Sequence, residues 1–194
     1  MDKKQTHTPE SEKLRLHFLV LRAQVGDEAA FGQLYHSYVE RTLRFLMSFV
    51  PQHEAEDLNQ ELWLTVYRRI SSLVNVDGFK TWLFQAARNR ALDELRNRKR
   101  TDLLYELIST EVETVQESGF EPFKLSEPGF QLQQALDQLS GPHRESIVLN
   151  FMEGMDYQEI ALISACSVGT VKSRIHNAKK HLKDIYKSKI QNHE

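Results

Sequence analysis

The 194-residue chain has one cysteine, Cys166, which excludes an internal disulfide and any zinc site built from several thiolates. Its eight histidines are scattered, with neither the H-x-x-x-H nor the H-E-x-x-H spacing that sets two imidazoles on one helix face. No metal or other cofactor is expected. No apolar run approaches the roughly 18 to 20 residues of a membrane span. The opening segment, Met1 to Glu12, is polar and lacks the apolar stretch of a signal peptide, so the expected location is the cytoplasm. Runs of strand-type alternation are missing as well, and the five prolines fall at candidate boundaries, at Pro9, Pro51, Pro122, Pro128 and Pro142. No nucleophile–base pair is evident, so the expected protein is not an enzyme.

What is present reads as helix. Ser11 to Val25 is periodic in apolar residues and stops at Gly26. Asp27 can cap a second helix through Phe49, with Phe31, Leu34, Tyr35, Tyr38 and Thr42 at three- and four-residue steps. A third helix is expected from about His53 to Ile70, and a fourth from Phe79 to about Arg100. Residues 103–128 hold Gly119-Phe-Glu-Pro122 and Ser126-Glu-Pro-Gly129 among acidic groups and read as a linker, with a short helical turn near Asp102 to Ile108. Four segments follow: Gln131 to Leu139, Pro142 to Glu153, Tyr157 to Ser164, and Val168 to about Lys189. The fold class is therefore all-α, with two small helical domains, residues 1–101 and 131–194, joined by an acidic linker at 102–130.

Charge is balanced overall at −2 but unevenly placed. The linker carries seven acidic residues against Lys124 alone. Arg88 to Arg100 holds six basic residues against Asp93 and Glu94, and Lys172 to Lys189 holds seven against Asp184. Such runs read equally as solvated helix faces or as phosphate-binding surfaces, since local fields govern attraction to nucleic acid.

The last two segments decide between these readings for the C-terminal domain. Asp156-Tyr-Gln-Glu159 has the form of a capping box, with Met155 and Ile160 at the staple positions. A three-residue turn, Ala165-Cys166-Ser167, leads into a helix with Val171, Ile175, Ala178, Leu182 and Ile185 on one face. Lys172, Ser173, His176, Asn177, Lys179 and Lys180 lie on the other. A helix apolar on one side and basic on the other, set after a short capped helix, is a helix-turn-helix that fits a major groove.

Tyr157-Gln-Glu-Ile-Ala161 with Cys166-Ser-Val-Gly-Thr-Val-Lys-Ser-Arg174, preceded by Leu136-Asp-Gln-Leu-Ser140 and Arg144-Glu-Ser-Ile-Val-Leu149, resembles region 4 of the extracytoplasmic-function sigma factors. Glu56-Asp-Leu-Asn-Gln-Glu61-Leu-Trp-Leu-Thr-Val-Tyr-Arg68 and Phe79 through Arg98 resemble region 2 of the same family. The resemblance implies an alternative sigma factor that binds core RNA polymerase and directs it to promoters. It implies contacts to the −35 element from Thr170, Lys172, Ser173, Arg174, His176, Asn177 and Lys179. It implies −10 recognition and melting by Trp82, Arg88, Asn89, Arg90, Arg96 and Arg98, aided by the Ser71–Gly78 loop. Asp57, Gln60, Glu61 and Trp63 would lie at the β′ clamp-helix interface, and the C-terminal domain would meet the β flap. Promoter DNA and an anti-sigma factor are the other implied partners.

The residues leave some points open. Trp82 reads as a base-stacking platform or as core, and Leu83, Ala86 and Ala87 read as core. Ile147, Val148 and Phe151 serve the core or the polymerase flap, with the core expected. The family usually has glycine where this chain has Ala165, a substitution costing roughly 1 kcal/mol if the residue must take positive φ. Asn177 stands where a basic residue is frequent, and asparagine suits adenine. The acidic linker is a nucleic-acid mimic threading the polymerase cleft or a solvated tether, and Cys166 a redox switch or buried filler. A stand-alone helix-turn-helix regulator and a protein–protein adaptor are the competing functions. Neither needs the aromatic–basic segment Trp82–Arg90.

Overall fold

A computed structural model describes residues 9–108 and 134–191, and among these every regular element is a helix. α1 spans Pro9–Gln24 and α2 Glu28–Leu46. Between them Gly26 takes φ 89°, a conformation open to glycine at little cost, and Asp27 accepts from the Ala30 amide at 3.0 Å as the expected N-cap. α2 buries Ala30, Leu34, Tyr38, Thr42, Phe45 and Leu46, a stripe at three- and four-residue steps. It ends three residues before the expected Phe49, in tight turns through Val50, because Pro51 disfavours helical backbone at the residue before it.

α3 spans Gln52–Arg69 and runs into two 3-10 turns, Ile70–Ser72 and Val76–Gly78. The second is capped by Asn75, whose side chain accepts from the Gly78 amide. α4 then runs unbroken from Phe79 to Ile108. It passes the expected end at Arg100 because Leu103, Leu104, Glu106 and Leu107 are good helix formers and no glycine or proline occurs before Gly119. The rest of the expected linker, residues 109–130, lies outside the described residues, as do residues 131–133 of the expected segment Gln131 to Leu139.

In the C-terminal unit a helical turn at residues 134–137 precedes α5, Gly141–Ile147, which continues through a π turn at Val148–Met152. α6 spans Tyr157–Ser164 and α7 Val168–Gln191. The N-terminal core is built on Phe45, Phe79, Phe84, Leu34, Leu62 and Leu83, with Phe45 and Phe84 edge-to-face at 5.2 Å. The C-terminal core is built on Leu149, Met155, Ile160, Ile163, Val171 and Ile175. Burial of each such side chain stabilises by about 1.5–3 kcal/mol. α4 packs against α6, so the two units are in contact.

Candidate nucleic-acid interface

The turn between α6 and α7 is built as its sequence requires. Asp156 accepts from the amides of Gln158 and Glu159, both at 2.8 Å, and Glu159 accepts from the Asp156 amide at 2.9 Å, completing the capping box. α6 ends on Ala165 in the left-handed region, φ 49°, with the Cys166 amide bonded to the Ala161 carbonyl. Ser167 then caps α7 by accepting from the Thr170 amide at 3.1 Å. These local bonds fix how α7 leaves the body.

α7 buries Val171, Ile175, Ala178 and Ile185 and half-buries Leu182, as expected. Lys172, Ser173, His176, Asn177, Lys179 and Lys180 are exposed together on the other side, and so is Lys183 one turn on. Thr170 and Arg174 are half-buried at the margins. Thr170 sits 2.9 Å from the Ser167 hydroxyl, and an Arg174 Nη1 lies 3.6 Å from the Cys166 sulfur. Phe151, expected in the core, is 56% exposed, and the Lys179 ammonium sits 4.6 Å from its ring centroid. The π turn at Val148–Met152 changes the rotation of this segment, leaving Val148 and Leu149 inside and Phe151 outside.

On α4 the six expected −10 residues divide among faces. Trp82, Asn89 and Arg96 recur at seven-residue steps and so share one side of the helix. Trp82 is half-buried, tilted against Phe79 at 6.1 Å, so it is neither wholly core nor a free platform. Leu83 and Ala87 are buried. Arg90 turns to α3, pairing with Glu61 at 2.6 Å and bonding Thr65. Arg98 pairs with Glu54 at the start of α3 and lies 3.6 Å from Glu94. Arg88 leaves the N-terminal unit altogether, its Nε 2.7 Å from Glu145 of α5. The Ser71–Gly78 loop is exposed at Val74, Asn75 and Asp77, and His17 bonds Asp77 at 2.9 Å, tying the loop to α1.

α3 exposes Asp57, Gln60, Glu61 and Leu64 on one face. Trp63 does not join them. It is 4% exposed and donates to the Thr42 hydroxyl at 3.2 Å, so its side chain stands behind this exposed face rather than on it. Leu64, the apolar centre of that face, escaped the sequence reading, because a one-residue shift turns a helical position by about 100°.

Family profiles match two parts of the chain: Sigma-70 region 2 over residues 34–101 and Sigma-70, region 4 over residues 129–182. The ECF RNA polymerase sigma-E factor of Escherichia coli K12 is 32% identical over 177 residues, covering 87% of this chain and 93% of that protein. The chain belongs to the extracytoplasmic-function sigma factors. The ECF RNA polymerase sigma factor SigE of Mycolicibacterium smegmatis is 32% identical over 166 residues, covering 82% of this chain and 63% of its own length. Among solved structures, the sigma factor RpoE of Bartonella quintana, crystallised with the anti-sigma factor NepR, superposes with a TM-score of 0.65 at 26% identity, covering 81% of this chain and 96% of that one.

This sigma factor therefore directs RNA polymerase to promoters as a DNA-binding initiation factor. A stand-alone helix-turn-helix regulator is not favoured, because the match to region 2 over residues 34–101 includes the aromatic–basic segment Trp82–Arg90. Among the described residues no His, Cys, Asp and Glu cluster could hold a metal and no helix is long and apolar enough to cross a membrane.

The sequence reading missed two side chains in the C-terminal unit. Glu145 and Glu153 are 3% and 5% exposed. Arg41 of α2 lies 2.6 Å from the Glu153 carboxylate, and Lys80 of α4 donates to the Glu153 carbonyl. Burial, reinforced by the nearby Arg41 charge, lowers the pKa of the Lys80 ammonium. The only sequence signal was an acidic residue beside the apolar run Ile147-Val148-Leu149, which is too weak to name a partner.

Proposed function

We propose that the two units divide promoter recognition, residues 1–101 serving the −10 element and residues 131–194 the −35 element. The exposed α3 face, with Asp57, Gln60 and Glu61 around Leu64, docks on the β′ clamp helices, and the C-terminal unit also meets the β flap. α7 enters the major groove. Lys172, Lys179 and Arg174 hold phosphates, while Ser173, His176 and Asn177 reach base edges and Thr170 positions the helix start. Trp82 and Asn89 capture an unstacked −10 base, with Arg96 on the backbone beside them. Arg88, Arg90 and Arg98 join the backbone contacts once their ion pairs exchange for phosphate.

The exposed basic side of α7, opposite an apolar stripe seated on a capped turn, is the single observation that supports this reading most. The protein acts in the cytoplasm, where polymerase works, and an anti-sigma factor is its inhibitory partner, as the relative bound to NepR suggests. The test is gel filtration with core polymerase followed by footprinting on promoter fragments selected from genomic DNA. Co-elution with protection at two patches, one helical turn or more apart, is expected. Protection without polymerase, or none with it, would refute the reading.

A further inference from the structure

The chain between α3 and α4 is pinned at both ends by α1, which packs against both 3-10 turns. His17 and Gln24 stand seven residues apart on α1 and so share one face, with buried Val20 between them. The Gln24 side-chain amide donates to the Ile70 carbonyl at 3.1 Å and to the Leu73 carbonyl at 2.6 Å. Carbonyls at the end of a helix lack intrahelical donors, so this one side chain fixes the direction in which the chain leaves α3. At the far end of the loop the His17 Nδ1 lies 2.9 Å from Asp77 Oδ1. A carboxylate only accepts, so the ring donates. That bond first, and then the charges of His17 and Lys13, hold the Asp77 carboxyl below the usual aspartate range.

Apolar anchors repeat the arrangement. Leu73 and Val76 pack against the core, while Val74 between them is 98% exposed and Asn75 is exposed beside it. Asn75 is held as well, since its side chain accepts from the Gly78 amide at 3.2 Å, just before α4 begins. The loop tip is thus presented in one geometry before anything binds. A preordered loop loses less conformational entropy on binding than a free one.

We infer that His17 and Gln24 are positioning residues for −10 recognition: neither touches DNA, and by holding the Ser71–Gly78 loop they set how strictly it discriminates among −10 bases. The ties stand on the contacts alone; their consequence for DNA rests on the reading of this loop as an aid to −10 recognition.

The test is run-off transcription by the full chain with core polymerase, on promoters differing by single base pairs in the −10 or the −35 element. Gln24→Ala should cut discrimination among −10 bases about tenfold, the order of one base pair's worth of specificity, and leave discrimination at −35 unchanged. His17→Ala should cut it less, because that tie is open to solvent. His17→Asn, whose side-chain nitrogen falls near the position of Nδ1, should restore it, which a merely destabilised helix would not allow. Should Gln24→Ala lose helix content by circular dichroism, the two His17 variants carry the test. Folded variants with the parent's −10 discrimination, or with equal losses at −10 and −35, would overturn the inference. Val74→Ser separates it from the loop reading. If that tip variant alters −10 discrimination and the α1 variants do not, only this inference fails. If the tip variant alters nothing, the loop reading fails and the inference with it.

Discussion

Trp63 donates its indole N–H to the hydroxyl of Thr42, which in turn bonds Asn59 at 2.7 Å, while Asn59 donates to the Val39 carbonyl at 3.0 Å. All three side chains are buried, so the network ties α3 to α2 where water cannot substitute for a lost partner. Trp63→Phe should lose the indole donor and part of the ring's packing, costing more in urea unfolding than the ~1 kcal/mol of the hydrogen bond alone. Polymerase affinity should hardly change. Leu64→Asp, at the exposed centre of the same helix, should do the reverse and weaken polymerase binding roughly tenfold, about 1.4 kcal/mol, with stability near the parent's. Titration with labelled core polymerase separates the two.

Ala165 holds φ 49° at the turn into α7. Left-handed backbone costs a residue with a Cβ on the order of 1 kcal/mol, so Ala165→Gly should stabilise the C-terminal unit by about that amount. Thermal unfolding followed by circular dichroism reads the shift. No gain would mean that the turn already relaxes the strain.

Lys172 and Asn177 share the exposed side of α7 but should fail differently. Lys172→Ala should weaken −35 binding across all sequences and lower the salt slope by about one. Asn177→Ala should cost about 1–3 kcal/mol on one base pair and relax specificity there. Competition binding with single-base-pair promoter variants, at two salt concentrations, distinguishes the effects.

The Ala30 amide, and then the side chain of Arg22, hold the Asp27 carboxyl below the usual aspartate range. A carboxyl with a depressed folded pKa contributes its stability above the ordinary pKa and loses it as pH falls through the lowered one. Asp27→Asn keeps an N-cap acceptor without the charge. The variant should therefore be less stable than the parent at neutral pH. The gap should close as pH drops below the usual aspartate range, as read by urea midpoints along a pH series.

The helix-turn-helix was legible because each of its determinants is local: the capping box spans four residues, and the apolar stripe of α7 repeats every three or four. The strain at Ala165 could be anticipated only through the resemblance, in which glycine is usual at that position. Helix ends were less legible, as α4 shows, because nothing local stops a helix rich in leucine and glutamate. The side of a helix on which Trp63 or Leu64 falls depends on a rotation that adjacent apolar residues leave undecided. The Arg88–Glu145 pair spans 57 residues and the whole linker, so no local pattern could announce it. Its effect is large: a residue expected to face DNA instead faces the other unit.

Run-off transcription with purified core polymerase, comparing the parent chain with Trp82→Ala on duplex and on pre-melted promoter templates, tests the division of labour most directly. The parent should start RNA at one defined position on both templates, and the variant should fail on duplex yet recover on the pre-melted one. A parent that starts no RNA at a defined position, or a variant equally active on both templates, would contradict the account.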